Sequence, residues 1–411
     1  MTVLEAADRI GGRVSSESTP LGSRLDLGGQ WIGHDHHNLK ALADEFGATQ
    51  FPTYATTLPC IVEGTRRIAL ASPAVLTAGL ALVGVEALSR LGAPERWNTT
   101  TVDAWLRRVP GHIARRILEV IASVSWTADL ERLSIRAMAE MVRRQNGVRT
   151  MLATEGGAQD SLLVEAMGTL VDALAAELGP RVRTGHRVTA VVRDDGGLTI
   201  RTTAGDIRTA KAIVTVPPPM LDRIAFDPPL PASRSAIVRN SYMGIVYKAI
   251  AVYDRPFWRE RKGGDFIVLD RPGRAVFDSS APDGPGHLCV LVPGPEARDL
   301  DALDAESRRD IVLRPLVHHI GPEVLEPVSW HEKSWQLDEF VGGGYLALPE
   351  AGTTDGFLPV SSIPTGDIHW AGTETAEHHP GYLDGAVESG LRVAREVADV
   401  LSPADSGVGS R

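Results

Sequence analysis

Two glycine pairs near the start of the chain have the residue types needed to bind a phosphate-bearing cofactor. Gly11 and Gly12 precede Arg13, and a second pair follows at Gly28 and Gly29. Glycine has no side chain to hold a ligand away, so its main-chain N–H groups can approach a pyrophosphate closely. The neighbouring arginine adds a fixed positive charge that favours phosphate. The paired glycines therefore permit a close approach of the backbone to a ligand, unusual backbone dihedrals, or both.

An acidic residue, Glu5, lies in a short β-branched and apolar run at residues 2–6 that predicts a strand. In dinucleotide-binding α/β domains, the second strand ends in an acidic residue that accepts hydrogen bonds from the adenosine ribose. A single glutamate at a strand end is more often simply exposed to solvent. The assignment of Glu5 therefore depends on the residues that follow it.

Residues 4–13 resemble the segment after the second strand in FAD-binding oxidases of the flavin amine oxidase family. They have all the fixed positions of that family's L-E-A-x-x-R-x-G-G-R pattern. Residues 26–33 are similar to the family's next cofactor loop, which runs along the ribityl chain and the flavin. The resemblance implies FAD contacted by Glu5, Ala6, Arg9, Gly12, Arg13, Gly28, Gly29, Gln30 and Trp31.

A second match lies near the C-terminus, where residues 371–376 and 381–390 resemble the family's closing motif. Gly372 and Glu374 belong to its turn, and the resemblance implies that Glu374 hydrogen-bonds the ribityl or phosphate part of FAD. Tyr382 and Leu383 precede and begin the final helix. The N-terminus of that helix has unpaired N–H groups and the positive end of the helix dipole, which favour the negative charge of reduced flavin.

Two weaker matches complete the set of cofactor residues. Val188 lies in a segment that resembles the strand whose valine backbone reaches the adenine, and Trp335 in one that resembles the segment packing against the flavin ring. From the pattern alone, Val188 fits an ordinary strand equally well.

Three residues are candidates for catalysis. Residues 243–248, which end in Lys248, resemble the segment whose lysine holds a water against flavin N5, and this implies a role for Lys248 in reoxidation by O₂. The alternative is a lysine on the solvated face of an edge strand. Tyr345 and Tyr382 match the family's pair of aromatic rings that flank the substrate nitrogen. Either tyrosine alone could be an ordinary core residue with its hydroxyl near solvent.

Two places in the sequence depart from the family's pattern. Gly344 stands where the mammalian monoamine oxidases have a cysteine that binds flavin covalently, so FAD should be non-covalent here. The histidines in residues 33–37 could suggest a metal, but His36 and His37 are adjacent and would point apart in an extended chain. We expect a solvated loop and no metal site.

The function implied is oxidation of a C–N bond by FAD, from an amine to an imine, with O₂ reduced to hydrogen peroxide. The alternatives on the same scaffold are an L-amino-acid oxidase and an oxidase of a secondary-metabolite amine or amide. An amino-acid oxidase needs an arginine for the carboxylate, and residues 30–32 supply none. A third alternative is a flavin-fold protein without turnover.

The pattern of elements predicts an α/β fold. Helices are expected at residues 38–46, 162–178 and 383–401, with mainly helical structure from 72 to 146. Strands are expected at 188–192, 198–202, 212–216, 245–253 and 368–370, with a hairpin turn at 194–197.

The fold class that follows is an FAD-binding Rossmann-like domain of the glutathione-reductase type, built from separated segments, with an inserted α+β substrate domain. Residues 1–68, 181–232 and 345–401 are assigned to the FAD-binding domain. Residues 69–180 and 233–344 are assigned to the substrate domain, and 402–411 to a flexible tail.

The acidic Glu5 stands unusually close to Met1. It normally follows the glycines of a strand–G-x-G-x-x-G–helix unit by about 20 residues. We therefore expect that first unit to be absent from this chain. It would belong either to a natural protein longer by about 30–40 residues or to a partner chain.

Composition limits the partners. The net charge of −10 argues against nucleic acid, whose phosphates require a basic surface. Cys60 and Cys289 are too few for a disulfide framework, which fits a reducing cytoplasm. Residues 76–88 are the most apolar run and are expected to form a packed helix and no membrane span. The substrate is a small amine, and a homodimer is a candidate state.

Overall fold

The computed structural model describes residues 1–55, 59–261, 264–353, 357 and 359–402. The helices are α1 His37–Glu45, α2 Pro73–Leu91, α3 Val102–Leu106, α4 His112–Trp126, α5 Ile135–Arg144, α6 Val148–Leu152, α7 Gly168–Leu178, α8 Ala232–Arg239, α9 Pro295–Asp301, α10 Ala305–Leu313, α11 Val317–Ile320 and α12 Leu383–Leu401. The expected tail lies outside the described residues after Ser402.

Most of the strands are short, and the two longest have eight residues each. The strands are β1 Val3–Leu4, β2 Ser16–Ser18, β3 Arg24–Asp26, β4 Gln50–Pro52, β5 Cys60–Glu63, β6 Arg66–Arg67, β7 Ser161–Leu163, β8 Val182–Arg183, β9 Val188–Asp194, β10 Gly197–Thr202, β11 Gly205–Thr209, β12 Ala212–Val214, β13 Ala225–Asp227, β14 Ser241–Met243, β15 Val246–Tyr253, β16 Phe266–Val268, β17 Arg274–Asp278, β18 Gly286–Pro293, β19 Ser329–Ser334, β20 Ala347–Pro349 and β21 Ile368–Trp370.

The largest sheet has seven strands in the order β19-β15-β18-β17-β16-β5-β6. Strands β15 and β18 have eight residues each, and every one is buried. Their nearly continuous apolar sequences fit this position, because a strand covered on both faces has no solvated side to make polar. Lys248 belongs to β15, so this sheet fixes the position of its backbone.

Helices α2, α4 and α5 pack together in a large apolar cluster beside this sheet. Ser72 accepts a hydrogen bond from the N–H of Val75 and caps α2, with Pro73 at the first helical position. Ser134 caps α5 in the same way. The helical stretch predicted from the sequence is therefore confirmed.

Parallel pairing joins distant segments of the chain. Val3 in β1 pairs with Val182 in β8, and Ala212 in β12 pairs with Ile368 in β21. Helix α12 packs beside β21 and against α1. These parallel strands and their helices confirm the α/β class. They also bring both ends of the chain to one place.

The predicted hairpin at residues 194–197 is confirmed, because β9 and β10 pair antiparallel around Asp194 and Gly197. A third strand, β11, extends this sheet and was not predicted. It alternates polar and half-buried residues, so the sequence has no apolar run to mark it.

The helix expected at residues 162–178 is wrong in its first part. Strand β7 pairs with β4, and α7 begins only at Gly168. Ala166 has a positive φ of 63°, and the carboxylate of the buried Asp26 accepts the N–H of Met167 at 2.8 Å. A tertiary contact therefore ends the strand and starts the helix, and local propensity could not reveal it.

The expectation that residues 76–88 form a packed helix is also wrong for one face. Helix α2 is the one described helix that is long and apolar enough to cross a membrane, by length and composition alone. Only 17% of its apolar stretch is buried within the protein. The side chains of Leu80 and Val83 are 75% and 66% exposed. An apolar surface of this kind requires an explanation beyond the single chain.

Candidate active site

A cavity of about 1420 Å³ lies between the chain ends, the seven-stranded sheet and the α2–α4–α6 helices. The following predicted residues line it: Glu5, Ala6, Gly12, Arg13, Gly28, Gly29, Gln30, Trp31, Val188, Lys248, Trp335, Tyr345, Gly372, Tyr382 and Leu383. Arg9 and Glu374 do not belong to this wall. Fifteen of the seventeen residues predicted from the sequence therefore face one space.

The first glycine turn is packed directly against the second cofactor loop. Gly11 has a φ of +100°, and a Cβ there would lie 2.8 Å from the carbonyl oxygen of Val14. A Cβ on Gly28 would lie 2.2 Å from the carbonyl oxygen of Arg13. No other residue type fits at these two positions without moving the backbone.

Arg9 supports this turn from outside the cavity. Its guanidinium donates to the carbonyl oxygens of Gly12 at 2.8 Å and Val14 at 3.0 Å, and it forms an ion pair with Asp338 at 3.2 Å. These donors are directed to the protein backbone and to Asp338, and a contact between Arg9 and the cofactor stays a prediction.

Arg13 and Glu374 connect the two ends of the chain. The guanidinium makes two parallel hydrogen bonds to the carboxylate, at 2.7 and 3.0 Å, and a third to the carbonyl oxygen of Tyr345 at 2.7 Å. Burial alone would raise the pKa of Glu374, but the charge and hydrogen bonds of Arg13 outweigh it and lower the pKa. Glu374 therefore holds the guanidinium of Arg13, and Arg13 in turn lines the cavity.

Lys248 lies in β15, an interior strand of the sheet with β18 and β19 on either side. The alternative of a solvated edge strand is therefore wrong. Its Nζ donates to the carbonyl oxygen of Gly28 at 2.8 Å and to Oε1 of Gln30. Burial lowers the pKa of Lys248, although the nearby Cys289 and Asp26 raise it. An ammonium has three donors, so one is left to face the cavity.

Two buried hydrogen-bond donors of the wall lack a partner among the described residues. They are Nε2 of Gln30 and Nε1 of Trp31. A buried donor without a partner costs about 1–3 kcal/mol. A ligand with hydrogen-bond acceptors at this point would satisfy both donors.

The two predicted tyrosines reach the cavity from different segments. Tyr345 is held through its backbone, since its N–H donates to Oγ1 of Thr127 at 2.9 Å. Tyr382 stands at the start of α12, and its ring packs edge-on against His36 with the centroids 5.0 Å apart. Burial raises the pKa of both phenols, so both are neutral at ordinary pH.

The start of α12 has the arrangement predicted from the sequence. The helix begins at Leu383, and Tyr382 provides no side-chain cap for its first N–H groups. Leu383 and Gly29 touch, since a Cβ on Gly29 would lie 3.2 Å from that leucine side chain. The positive end of the helix dipole is therefore presented beside the second cofactor loop.

The expectation of a solvated histidine loop is wrong for His36. Its side chain is 1% exposed, and its Nδ1 accepts the N–H of Gly33 at 2.8 Å. Asp35, His36 and His379 have potential ligand atoms within 4.8 Å of one another. Burial, then the proximity of His379, lowers the pKa of His36 to about 4. A neutral imidazole therefore supports the Tyr382 ring.

Comparison with known proteins gives the context of this cavity. Residues 1–398 match the family described as flavin containing amine oxidoreductase. The chain belongs to this family. It is 32% identical over 418 residues to AofH of Mycobacterium tuberculosis, which carries the name of a flavin-containing monoamine oxidase; 97% of this chain and 91% of that protein are covered.

A solved structure and a second relative agree with this membership. Putrescine oxidase of Kocuria rosea is 30% identical, with 97% of this chain and 90% of that protein covered. Cyclohexylamine oxidase from Brevibacterium oxydans has a TM-score of 0.91 at 26% identity, with 97% and 93% covered. This flavin amine oxidase is therefore an FAD-dependent enzyme that oxidises amines.

The residues of this amine oxidase fit FAD. The glycine turns give backbone N–H groups for a pyrophosphate, and Gln30 and Trp31 provide unpaired donors for ring acceptors. The uncapped start of α12 lies beside them. Bound FAD supplies a two-electron acceptor, and these residues would hold it.

Sequence reasoning missed two parts of this amine oxidase's cavity. Thr127 positions Tyr345, and it has a positive φ of 54° that no local pattern marks. The outer wall comes from α2, α4 and α6, whose apolar residues are typical of any core helix. Only the positions of the three helices relative to one another in the folded structure show that they enclose a cavity.

Proposed function

We propose that this chain oxidises the C–N bond of a small amine held between Tyr345 and Tyr382. The observation that carries this proposal is that both phenol rings and Lys248 line the same cavity. Bound FAD would supply the two-electron acceptor, so that the amine loses two electrons and two protons to become an imine and O₂ becomes hydrogen peroxide. The resulting imine is hydrolysed.

The tyrosines orient the substrate and exclude water. Their rings are half-buried and their phenols are neutral, so the faces between them favour an uncharged amine. An amine fixed between two rings has its C–H bond held in one direction, which lowers the entropic part of the barrier. His36, His379 and Thr127 keep the rings in place.

Lys248 serves the oxygen half of the reaction. Its ammonium is fixed by Gly28 and Gln30, and a third donor is available to a water molecule in the cavity. A positive charge at this point stabilises the negative charge that develops on O₂ during its reduction.

Non-covalent FAD belongs to the same proposal. Gly344 offers no nucleophile, and the buried Cys289 lies beside Gln30, where its Sγ is 4.0 Å from Oε1. The burial of Cys289 raises its thiol pKa, which keeps it protonated and unreactive.

We further propose the two-domain division expected from the sequence, with residues 1–68, 181–232 and 345–401 binding FAD. The contacts refine its boundaries. Strands β5 and β6 pair with the seven-stranded sheet of the substrate domain, which supports a first boundary before Cys60. Met167 and Leu170 pack with Val14 and Leu39, which supports placing α7 with the FAD-binding part.

A cytoplasmic location and a homodimer complete the proposal. Cys60 and Cys289 are both free thiols, as expected in a reducing compartment. The uncovered apolar face of α2 supports a second copy of the chain as its partner.

The direct test is reduction of the bound flavin by amines without oxygen. We expect the 450 nm absorbance typical of oxidised flavin to bleach about as fast as peroxide forms in air, with at least one of cyclohexylamine, phenethylamine and putrescine. Tyr382→Ala should slow bleaching, whereas Tyr54→Ala, on an exposed residue outside the wall, should not. A yellow protein that no amine bleaches would contradict the proposal.

A further inference from the structure

The outer part of the cavity is built from three helices that each present an apolar row. Helix α2 contributes Val75, Ala78 and Leu82, α4 contributes Ile117, Ile121 and Val124, and α6 contributes Val148 and Met151. The spacings of three and four residues place each row on one helical face. A substrate in this part of the cavity therefore meets mainly hydrocarbon.

Several polar side chains also line this part of the cavity, among them Ser125, Gln145 and Gln159, and of these three Gln145 has a buried polar atom without a partner among the described residues. Gln145 follows the last residue of α5 and lines the cavity beside Val148. Its side chain is 4% exposed, and its Oε1 has no hydrogen-bond partner among the residues that the structure describes. The backbone N–H of Gln145 donates to the carbonyl oxygens of Met141 and Val142, so helix α5 holds the side chain at this place.

An unpaired carboxamide in an apolar cavity is unfavourable unless a ligand satisfies it. A carboxamide has both donors and an acceptor, so it pairs with a hydroxyl or an amide in either direction. It has no charge with which to neutralise a carboxylate or a second ammonium. A neutral hydrogen-bonding group is therefore its best partner.

We propose that Gln145 selects amines whose apolar, ring-sized body carries an uncharged hydrogen-bonding group at the end away from the nitrogen. This inference rests on the proposed amine oxidation and names its substrate class. Gln145 acts as a specificity-determining residue, and the tyrosines and Lys248 act at the other end of the substrate.

The test compares tyramine with phenethylamine, which differ by one hydroxyl. In the flavin-loaded enzyme, kcat/KM for tyramine should exceed that for phenethylamine by at least about tenfold, the effect of one satisfied buried hydrogen bond. In Gln145→Leu this preference should disappear or reverse, through a fall in kcat/KM for tyramine and not for phenethylamine.

Gln336→Leu is the matched control. Gln336 also has a buried Oε1 without a partner among the described residues, but it lies outside the cavity, where its Nε2 donates to Asp301. The tyramine preference should survive this change. Gln145→Asn, which keeps the carboxamide, should keep the preference in part and covers the case in which the leucine variant does not fold.

Putrescine provides the opposing arm, because it carries a second ammonium, whose charge a carboxamide cannot neutralise. The inference is overturned if kcat/KM for putrescine exceeds that for tyramine and Gln145→Leu changes neither value. It is also overturned if Gln145→Leu and Gln145→Asn both have the wild-type ratio of kcat/KM for tyramine to that for phenethylamine. Failure of every amine to bleach the flavin would instead contradict the proposed function, so the two failures are distinguishable.

Discussion

Lys248 is a buried cation whose partners are a backbone carbonyl and an amide oxygen, neither of which carries a full charge. Desolvation of an ammonium is costly, so a lysine in this position persists when its charge serves a purpose. The loop that it holds, Gly28–Gln30, also lines the cavity. One side chain therefore both fixes the cofactor loop and places charge next to it.

We expect Lys248→Met to slow reoxidation of the reduced flavin by about 100-fold, the usual effect of removing one electrostatic group. Reduction by amine should change little, because the tyrosines control that step. Stopped-flow traces of the two half-reactions measure this directly. Lys333→Met is the control, since Lys333 is the register partner of Lys248 but pairs with Asp338 outside the cavity. Equal slowing of both half-reactions would argue against the assignment.

The same lysine predicts a pH dependence. Burial lowers the pKa of Lys248 from its usual value of 10.5, and only the protonated form carries the charge. The rate of reoxidation should therefore fall as the pH rises through a value below 10.5, and Lys248→Met should lack this fall. A wild-type rate that stays flat up to pH 10.5 would contradict a catalytic role for the charge.

Gly344 leads to a prediction about the flavin itself. Because this position has no sulfur, acid precipitation of the yellow enzyme should release FAD into the supernatant. Absorbance spectra of supernatant and redissolved pellet measure the division. Colour that remains in the pellet after washing would show a covalent bond and contradict the proposal.

At the scale of elements, the site depends on one ion pair that joins segments far apart in the sequence. Arg13 follows the glycine turn and Glu374 precedes α12, and the pair also holds the N–H of Ala347 and the carbonyl oxygen of Tyr345. The Glu374 side chain is 4% exposed and that of Arg13 22%. Removing one partner of such a pair leaves a buried charge unpaired.

We therefore expect Glu374→Gln to destabilise the fold by about 3 kcal/mol, the low end for a buried pair because Arg13 is partly exposed. Thermal melting with and without added FAD measures it. Asp194→Asn breaks the exposed pair with Arg208 and should have no measurable effect. A melting temperature equal to wild type in Glu374→Gln would contradict the role of this pair.

The lowered pKa of Glu374 determines how its contribution to the stability of the fold changes with pH. A carboxylate with a depressed pKa stabilises the fold above its unfolded value of about 4.5 and loses that contribution as the pH falls through its folded value. The difference between wild type and Glu374→Gln should thus be full at neutral pH and shrink in acid.

The sequence predicted those elements that carry their own local signals. Helix α12, strand β21 and the hairpin at residues 194–197 have clear periodicity or turn residues, and the glycine motifs placed most of the cofactor wall. Helix α7 was misplaced because a side chain from a distant strand, Asp26, ends β7 and starts the helix. The burial of His36 was missed because its partner, His379, lies more than 300 residues away.

At the scale of the whole molecule, α2 is apolar on every side. Its inner residues pack on α4 and α5, while its outer row, Leu76, Leu80, Val83 and Leu91, is exposed. A helix that is apolar all round is normally buried, so something covers the outer row. Interfacial membrane helices carry lysine and arginine on a polar face, and Arg90 is the one basic residue of α2.

We propose that a second copy of the chain, and not a membrane, covers this surface. The net charge of −10 opposes binding to an anionic bilayer, whereas two identical apolar rows complement each other around a twofold axis. Gly79 and Gly84 lie in the exposed row with nothing within 4 Å of an added Cβ, so a partner helix can approach closely there.

We predict that the protein is a dimer in sedimentation velocity at micromolar concentration and that Leu80→Glu with Val83→Glu makes it a monomer while the flavin content is retained. Two charges placed in an apolar interface would remain unpaired, and their desolvation outweighs the contact. Leu174→Glu, on the exposed side of α7, is the control and should leave the dimer intact. A wild-type monomer that floats with zwitterionic vesicles would instead identify a lipid surface as the partner of α2 and refute the dimer.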